Sequence, residues 1–174
     1  SNSFVQAISI DTWSGMRANQ FCPDYTTTGT FASIGDSSAV AWLHTPEGQA
    51  YAQSIGLPSR LSPAPSAQCD ANTINPQVRF TNITDGQQLA GQAQIQGVVT
   101  GPNFQSFRVE IAPSTAPDAW ETIAGPFGAQ QPGGVLATWD TTTRANGAYR
   151  MRLNVAATNG GFASKIVNVG LNNQ

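Results

Sequence analysis

Few residues of the chain have side chains that could do acid–base, nucleophilic or metal chemistry. The sequence holds one histidine, His44, and one lysine, Lys165. A serine nucleophile needs a neighbouring base such as histidine or lysine, yet neither a Ser-x-x-Lys nor a Gly-x-Ser-x-Gly pattern occurs. His44 alone cannot build a catalytic triad, and we interpret it as a residue at a helix end. The sequence therefore predicts no catalytic site.

The two cysteines favour a disulfide over a metal site. Cys22 precedes Pro23, and Cys69 lies in the loop-like segment SAQCDAN. Without Cys-x-x-Cys spacing, and with a single histidine in the chain, they cannot assemble an ordinary zinc site. We therefore predict a Cys22–Cys69 disulfide, which is typical of an oxidising compartment; the alternative is two free thiols. No other pattern predicts a metal or a cofactor.

Composition argues against two classes of partner. Charged residues make up 10% of the chain, against about 25% in typical globular proteins, and the formal net charge is −2. Nucleic-acid binding needs a basic patch or stripe, and neither half of the sequence carries one. No run of about 18 apolar residues occurs, so the sequence predicts no membrane span.

A change of composition divides the chain into three parts. Residues 58–76 are rich in proline and serine and poor in large apolar residues, as linkers are. Residues 1–57 before them read as a small α+β segment, with short strands at AISI and GTFASIG and two helices. Thr45 and Pro46 are predicted to begin the second helix and Gly56 to end it.

Residues 77–174 alternate apolar and polar side chains, which is typical of β-strands with one buried face. The alternation recurs in QVRF, QAQIQGVV, FRVEI, VLATW, YRMRLNV and IVNVGL, with turn signals between them. Six or seven such strands in about 100 residues are typical of an immunoglobulin-like sandwich. The predicted fold class is therefore mainly β: an antiparallel immunoglobulin-like β-sandwich preceded by the α+β segment and the linker. In that topology Glu110 faces solvent beside Arg150 or Arg152.

Among the tryptophans, only Trp120 is a candidate binding residue. Trp139 is predicted to pack on the sandwich core, and Trp13 and Trp42 on the core of the first segment. Trp120 lies in STAPDAWETIAG among polar and turn residues, where strand alternation is poor. An exposed tryptophan can stack on a sugar ring, so Trp120 is a candidate sugar-stacking residue. The alternative is a tryptophan that covers the sheet edge.

Two segments resemble known families. The opening segment ISIDTWSGMRANQFCPDY resembles the tail of the transpeptidase domain in bacterial class A penicillin-binding proteins, through Asp11, Ser14, Gly15, Ala18, Cys22 and Pro23. Those bifunctional enzymes polymerise and cross-link peptidoglycan. The segment WDTTTRANGAYRMRLNVAATNGGFASKIVNV resembles the last three strands of bacterial immunoglobulin-like or fibronectin-like extracellular modules.

The first resemblance implies the C-terminal region of a larger enzyme. Penicillin-binding transpeptidases use Ser-x-x-Lys, Ser-x-Asn and Lys-Thr-Gly motifs, and this sequence contains none of them. The implied function is a non-catalytic accessory region of a peptidoglycan glycosyltransferase/transpeptidase, acting as spacer or docking module at the cell wall. The implied location is extracytoplasmic, in the cell envelope, with the parent enzyme anchored by an N-terminal transmembrane helix outside this sequence. The expected partners are envelope proteins or, weakly, peptidoglycan.

The alternative function belongs to a different class of protein. It is a carbohydrate-binding module of a secreted glycoside hydrolase, in which the opening segment matches by accident and Trp120 contacts the sugar. A transpeptidase domain encoded upstream would support the first function, whereas a glycosidase domain would support the second.

Overall fold

The computed structural model describes residues 5–32, 37–55 and 63–174. The chain folds into two compact units, Ser1–Thr73 and Ile74–Gln174. Among the helices that the structure describes, none is both long enough and apolar enough to cross a membrane.

The first unit contains an antiparallel hairpin and two helices: β1 (Val5–Asp11), β2 (Thr26–Ala32), α1 (Ser37–Leu43) and α2 (Pro46–Ser54). Thr45 caps α2 as predicted, because its hydroxyl accepts a hydrogen bond from the Gly48 amide at 3.1 Å. The predicted helix stop at Gly56 lies outside the described residues, as do residues 33–35 of the predicted strand GTFASIG.

The two tryptophans of the first unit differ in burial. Trp13 is buried, as predicted. The prediction that Trp42 joins the core is wrong, because 45% of its surface is exposed. Successive residues of an α-helix point about 100° apart, and Leu43, the next residue, takes the buried position. The Trp42 ring contacts Tyr51 instead, with the two ring centroids 5.8 Å apart.

Residues 63–73, from the predicted linker, belong to the first unit. The Arg17 guanidinium donates a hydrogen bond to the carbonyl of Pro65 at 2.7 Å. The carbonyl of Arg17 accepts a hydrogen bond from the Cys69 amide at 3.1 Å. This part of the linker is therefore bound along the unit, whereas residues 58–62 lie outside the described part of the chain.

The second unit is an antiparallel immunoglobulin-like β-sandwich, which confirms the predicted fold class. Its described strands are β3 (Gln77–Phe80), β4 (Gln87–Leu89), β5 (Gln92–Thr100), β6 (Phe104–Pro113), β7 (Glu121–Phe127), β8 (Val135–Asp140), β9 (Gly147–Ala157) and β10 (Phe162–Leu171). One sheet has the order β3-β5-β8, and the other has the order β4-β10-β9-β6-β7. Neighbouring strands are antiparallel, apart from the parallel pair β4 and β10.

The apolar positions of the alternating strands form the sandwich core. Fully buried side chains include Ile95, Phe107, Val109, Met151, Leu153 and Val155. Trp139 is buried with them, as predicted. Tyr149 is also buried, and its hydroxyl donates a hydrogen bond to the carbonyl of Ala145 at 2.7 Å. This arrangement is the tyrosine corner of immunoglobulin-like folds, which fixes the entry into β9.

Sequence alternation did not predict β4 and β7. Strand β4 is only three residues long, too short to show a period of two. Strand β7 contains Pro126, and its pairing with β6 has two register shifts, so alternate residues do not stay on one face.

Candidate functional site

A charged cluster lies on the outer face of the five-stranded sheet. Pairing of β6 with β9 places Glu110 directly opposite Arg152. The Arg152 guanidinium donates two hydrogen bonds to the Glu110 carboxylate, at 3.1 and 3.0 Å. The Arg108 Nε atom lies 3.5 Å from the same carboxylate. The prediction that Glu110 lies near Arg150 or Arg152 is therefore confirmed for Arg152.

Glu110 differs from the prediction in its burial, because only 5% of its surface is exposed. Burial alone would raise the pKa of this carboxyl, since it disfavours the charged form. Hydrogen bonds from Arg152 and Asn154, together with the charges of Arg152 and Arg108, outweigh burial and hold the pKa of Glu110 below its ordinary value of 4.5. The carboxylate is therefore ionised at neutral pH.

Trp120 lies beside this cluster, in the loop that leads into β7. The guanidinium carbon of Arg152 lies 4.1 Å from the centroid of the Trp120 ring, and that of Arg150 lies 5.0 Å from it. Both are cation–π distances. Trp120 is half-buried, and Arg152 occupies the position over one ring face where a sugar would stack.

Arg150 also holds the loop that carries Trp120. Its guanidinium donates a hydrogen bond to the carbonyl of Pro117 at 2.5 Å and lies 3.7 Å from the carboxylate of Asp118. The sequence pattern marked Trp120 as a candidate but did not connect it with Arg150 or Arg152. The only sequence signal was the outward alternation of the two arginines on β9.

The opening segment forms a turn in which the side chains behind the family resemblance have structural partners. Asp11 is buried, and its carboxylate accepts hydrogen bonds from the Ser14 hydroxyl at 2.5 Å and the Ser14 amide at 3.1 Å. Gly15 completes the turn with a φ of +77°, a conformation that favours glycine. The disulfide predicted between Cys22 and Cys69 is present.

The described residues bring together one group of three metal-ligating side chains, Asp11, Cys22 and Cys69, whose ligand atoms lie within 4.8 Å of one another. Both sulfurs belong to the disulfide, so only the carboxylate could bind a cation. His44 lies just after α1 in the first unit, and Lys165 lies in β10 of the second.

Comparisons with known proteins supply distant structural neighbours only. No family model matches the sequence, and no curated protein does. An endo-beta-1,4-mannanase from Thermotoga petrophila aligns at 16% identity and a TM-score of 0.45, over 60% of this chain and 21% of the mannanase. CopC from Methylosinus trichosporium OB3b aligns at 12% identity and a TM-score of 0.39, over 57% and 96% of the two chains. Murine CRIg aligns at 9% identity and a TM-score of 0.30, over 57% and 98%.

Proposed function

We propose that this chain is a non-catalytic accessory region of a bacterial class A penicillin-binding protein, acting as a spacer or docking module at the cell wall. Catalysis then belongs to glycosyltransferase and transpeptidase domains elsewhere in the parent enzyme. The Cys22–Cys69 disulfide fits an extracytoplasmic location, where disulfides form and persist.

The observation that carries this proposal is the structure of the opening turn. Matching residues that made no contact with one another would lend the resemblance no structural support. Instead, Asp11 binds Ser14, Gly15 takes the left-handed conformation, and the ligand atoms of Asp11, Cys22 and Cys69 lie within 4.8 Å of one another. Four of the residues behind the resemblance, Asp11, Ser14, Gly15 and Cys22, therefore take part in one local structure, which supports the proposal.

The geometry at Trp120 opposes sugar stacking on one face of its ring. A carbohydrate-binding module needs an aromatic ring that is free to stack on the sugar. Arg152 lies 4.1 Å from the Trp120 ring centroid and is tied by two hydrogen bonds to Glu110. A sugar that stacked on this face would have to displace a guanidinium that has two favourable partners, so we expect weak or undetectable binding to isolated glycan chains.

The decisive experiment is to read the coding sequence upstream of Ser1 and to express the whole protein. We expect a Ser-x-x-Lys motif upstream and covalent labelling of the whole protein by a fluorescent penicillin, with no labelling of the 174-residue chain. A glycosidase domain upstream would overturn the proposal in favour of a carbohydrate-binding module. Labelling of the isolated chain would show that the chain itself carries an activated serine.

A further inference from the structure

We propose that the free edge of β8 binds an extended peptide segment of a partner protein by strand addition. Strand β8 ends the order β3-β5-β8, and among the described residues no strand pairs with its other side. This inference rests on the docking role proposed above, to which it assigns a surface and a class of partner.

Hydrogen bonding shows which backbone groups point out from this edge. The Thr141 amide donates to the carbonyl of Gly91 at 3.0 Å. In an antiparallel pair of strands, only every second residue forms backbone hydrogen bonds with the partner strand. Since Thr141 forms them, Thr138 and Asp140 direct their backbone groups away from β5. The Thr143 hydroxyl already donates to the carbonyl of Asp140 at 2.8 Å. The amide and carbonyl of Thr138 and the amide of Asp140 are therefore oriented towards a partner strand.

The other described edges of the sandwich have features that oppose strand addition. Strands β3 and β4 have only four and three residues. Strand β7 contains Pro126, which has no N–H, and its pairing with β6 has two register shifts. On β10, Lys165 is exposed, and the Asn168 amide already donates to Asp85 at 2.8 Å. Strand β8 has six residues and contains no lysine, arginine or proline.

A cleft of about 290 Å³ lies beside this edge, between β7 and β8. Its lining includes Thr122, Ile123, Thr138 and Trp139. At one end, the last residue of β7, Phe127, is 40% exposed, and the first residue of β8, Val135, is 46% exposed. Apolar side chains of an added strand would cover this surface, as buried cross-strand pairs do within a sheet.

The opposite end of β8 carries an acidic residue, Asp140. Glu121 lies there and pairs with Arg144 at 2.7 Å, whereas no cation pairs with Asp140 among the described ion pairs. The Asp140 carboxylate accepts hydrogen bonds from the amide and hydroxyl of Thr142, which are neutral groups and leave its charge uncompensated. The partner segment should therefore alternate apolar side chains and carry a lysine or arginine near Asp140.

The test uses the 174-residue chain and a synthetic peptide of alternating valine and threonine with a lysine at each end. In an NMR titration, we expect the largest amide shifts at Thr138 and Asp140. Thr138→Pro removes an outward amide but no hydrogen bond to β5, so it should weaken binding by about tenfold or more. Two controls should bind like the wild type: Thr138→Ala keeps the amide, and Ser164→Pro alters the edge of β10 instead.

If Thr138→Pro does not fold, a peptide with N-methylated backbone amides tests the same hydrogen bonds from the partner's side. We expect it to bind more weakly than the unmethylated peptide. The proposal is overturned by the absence of shifts at millimolar peptide, by unchanged binding to a folded Thr138→Pro variant, or by shifts centred on β10. A dimer that protects the Thr138 amide without peptide would also overturn it, because a second copy would then occupy the edge. A transpeptidase domain upstream with no peptide binding would defeat this inference alone, whereas a glycosidase domain upstream with peptide binding at β8 would defeat the proposed function alone.

Discussion

Replacing Glu110 by glutamine tests whether the buried ion pair stabilises the sandwich. Glutamine keeps the size of the side chain and one acceptor oxygen but removes the charge. A hydrogen bond to a charged group contributes about 1.5–3 kcal/mol to stability, and the Glu110 carboxylate accepts two from Arg152. The Arg152 side chain is 23% exposed, so solvent screens part of the attraction. We therefore expect the free energy of unfolding at neutral pH to fall by about 1–2 kcal/mol.

The same pair predicts a specific pH dependence. The pKa of Glu110 in the folded state lies below its ordinary value of 4.5. A carboxyl whose folded pKa is lowered stabilises the protein above its unfolded pKa, and this contribution disappears as the pH falls through the folded pKa. We therefore expect Glu110→Gln to be less stable than the wild type by the full amount at neutral pH. This difference should disappear once the pH has fallen below the pKa of Glu110 in both the unfolded and the folded state.

The assay is urea unfolding of the unreduced chain, followed through the NMR signals of β9 amides so that only the sandwich is monitored. Glu121→Gln is the matched control, because it removes the ion pair between Glu121 and Arg144. The Glu121 side chain is 60% exposed. We expect the control to change the midpoint much less than Glu110→Gln does. Unchanged stability of Glu110→Gln at neutral pH, or a difference that persists in acid, would refute the reasoning.

Three further predictions concern the disulfide, the tyrosine corner and Trp120. Replacing Cys22 and Cys69 by serine opens a cross-link that spans 47 positions, so urea unfolding of the first unit should show a loss of about 2–4 kcal/mol, with the β9 signals unaffected. Tyr149→Phe removes the hydroxyl that donates to Ala145 and should destabilise the sandwich by about 0.5–1.5 kcal/mol in the same assay. Trp120→Ala should leave peptidoglycan pull-down unchanged, and micromolar binding that this substitution abolishes would favour the carbohydrate-binding function.

Local sequence patterns determined most of the sandwich core. In β9, alternate residues from Tyr149 to Val155 are apolar, and the structure buries each of them. A strand with one buried face must repeat every two residues, so the pattern is visible without knowing the partner strands. The disulfide was predictable from composition, because Cys22 and Cys69 are the only cysteines and lack a metal-binding spacing.

Only the tertiary structure decided the environments of Glu110, Trp120 and β8. Alternation placed Glu110 on the outer face but could not show its burial, because Arg152 lies 42 residues away in the sequence. Trp120 in turn contacts Arg152 from a separate loop. Likewise, the composition of β8 does not reveal that one of its edges is unpaired. Periodicity records which side of a strand faces the core, whereas the neighbours of an outer face or an edge depend on contacts between distant segments.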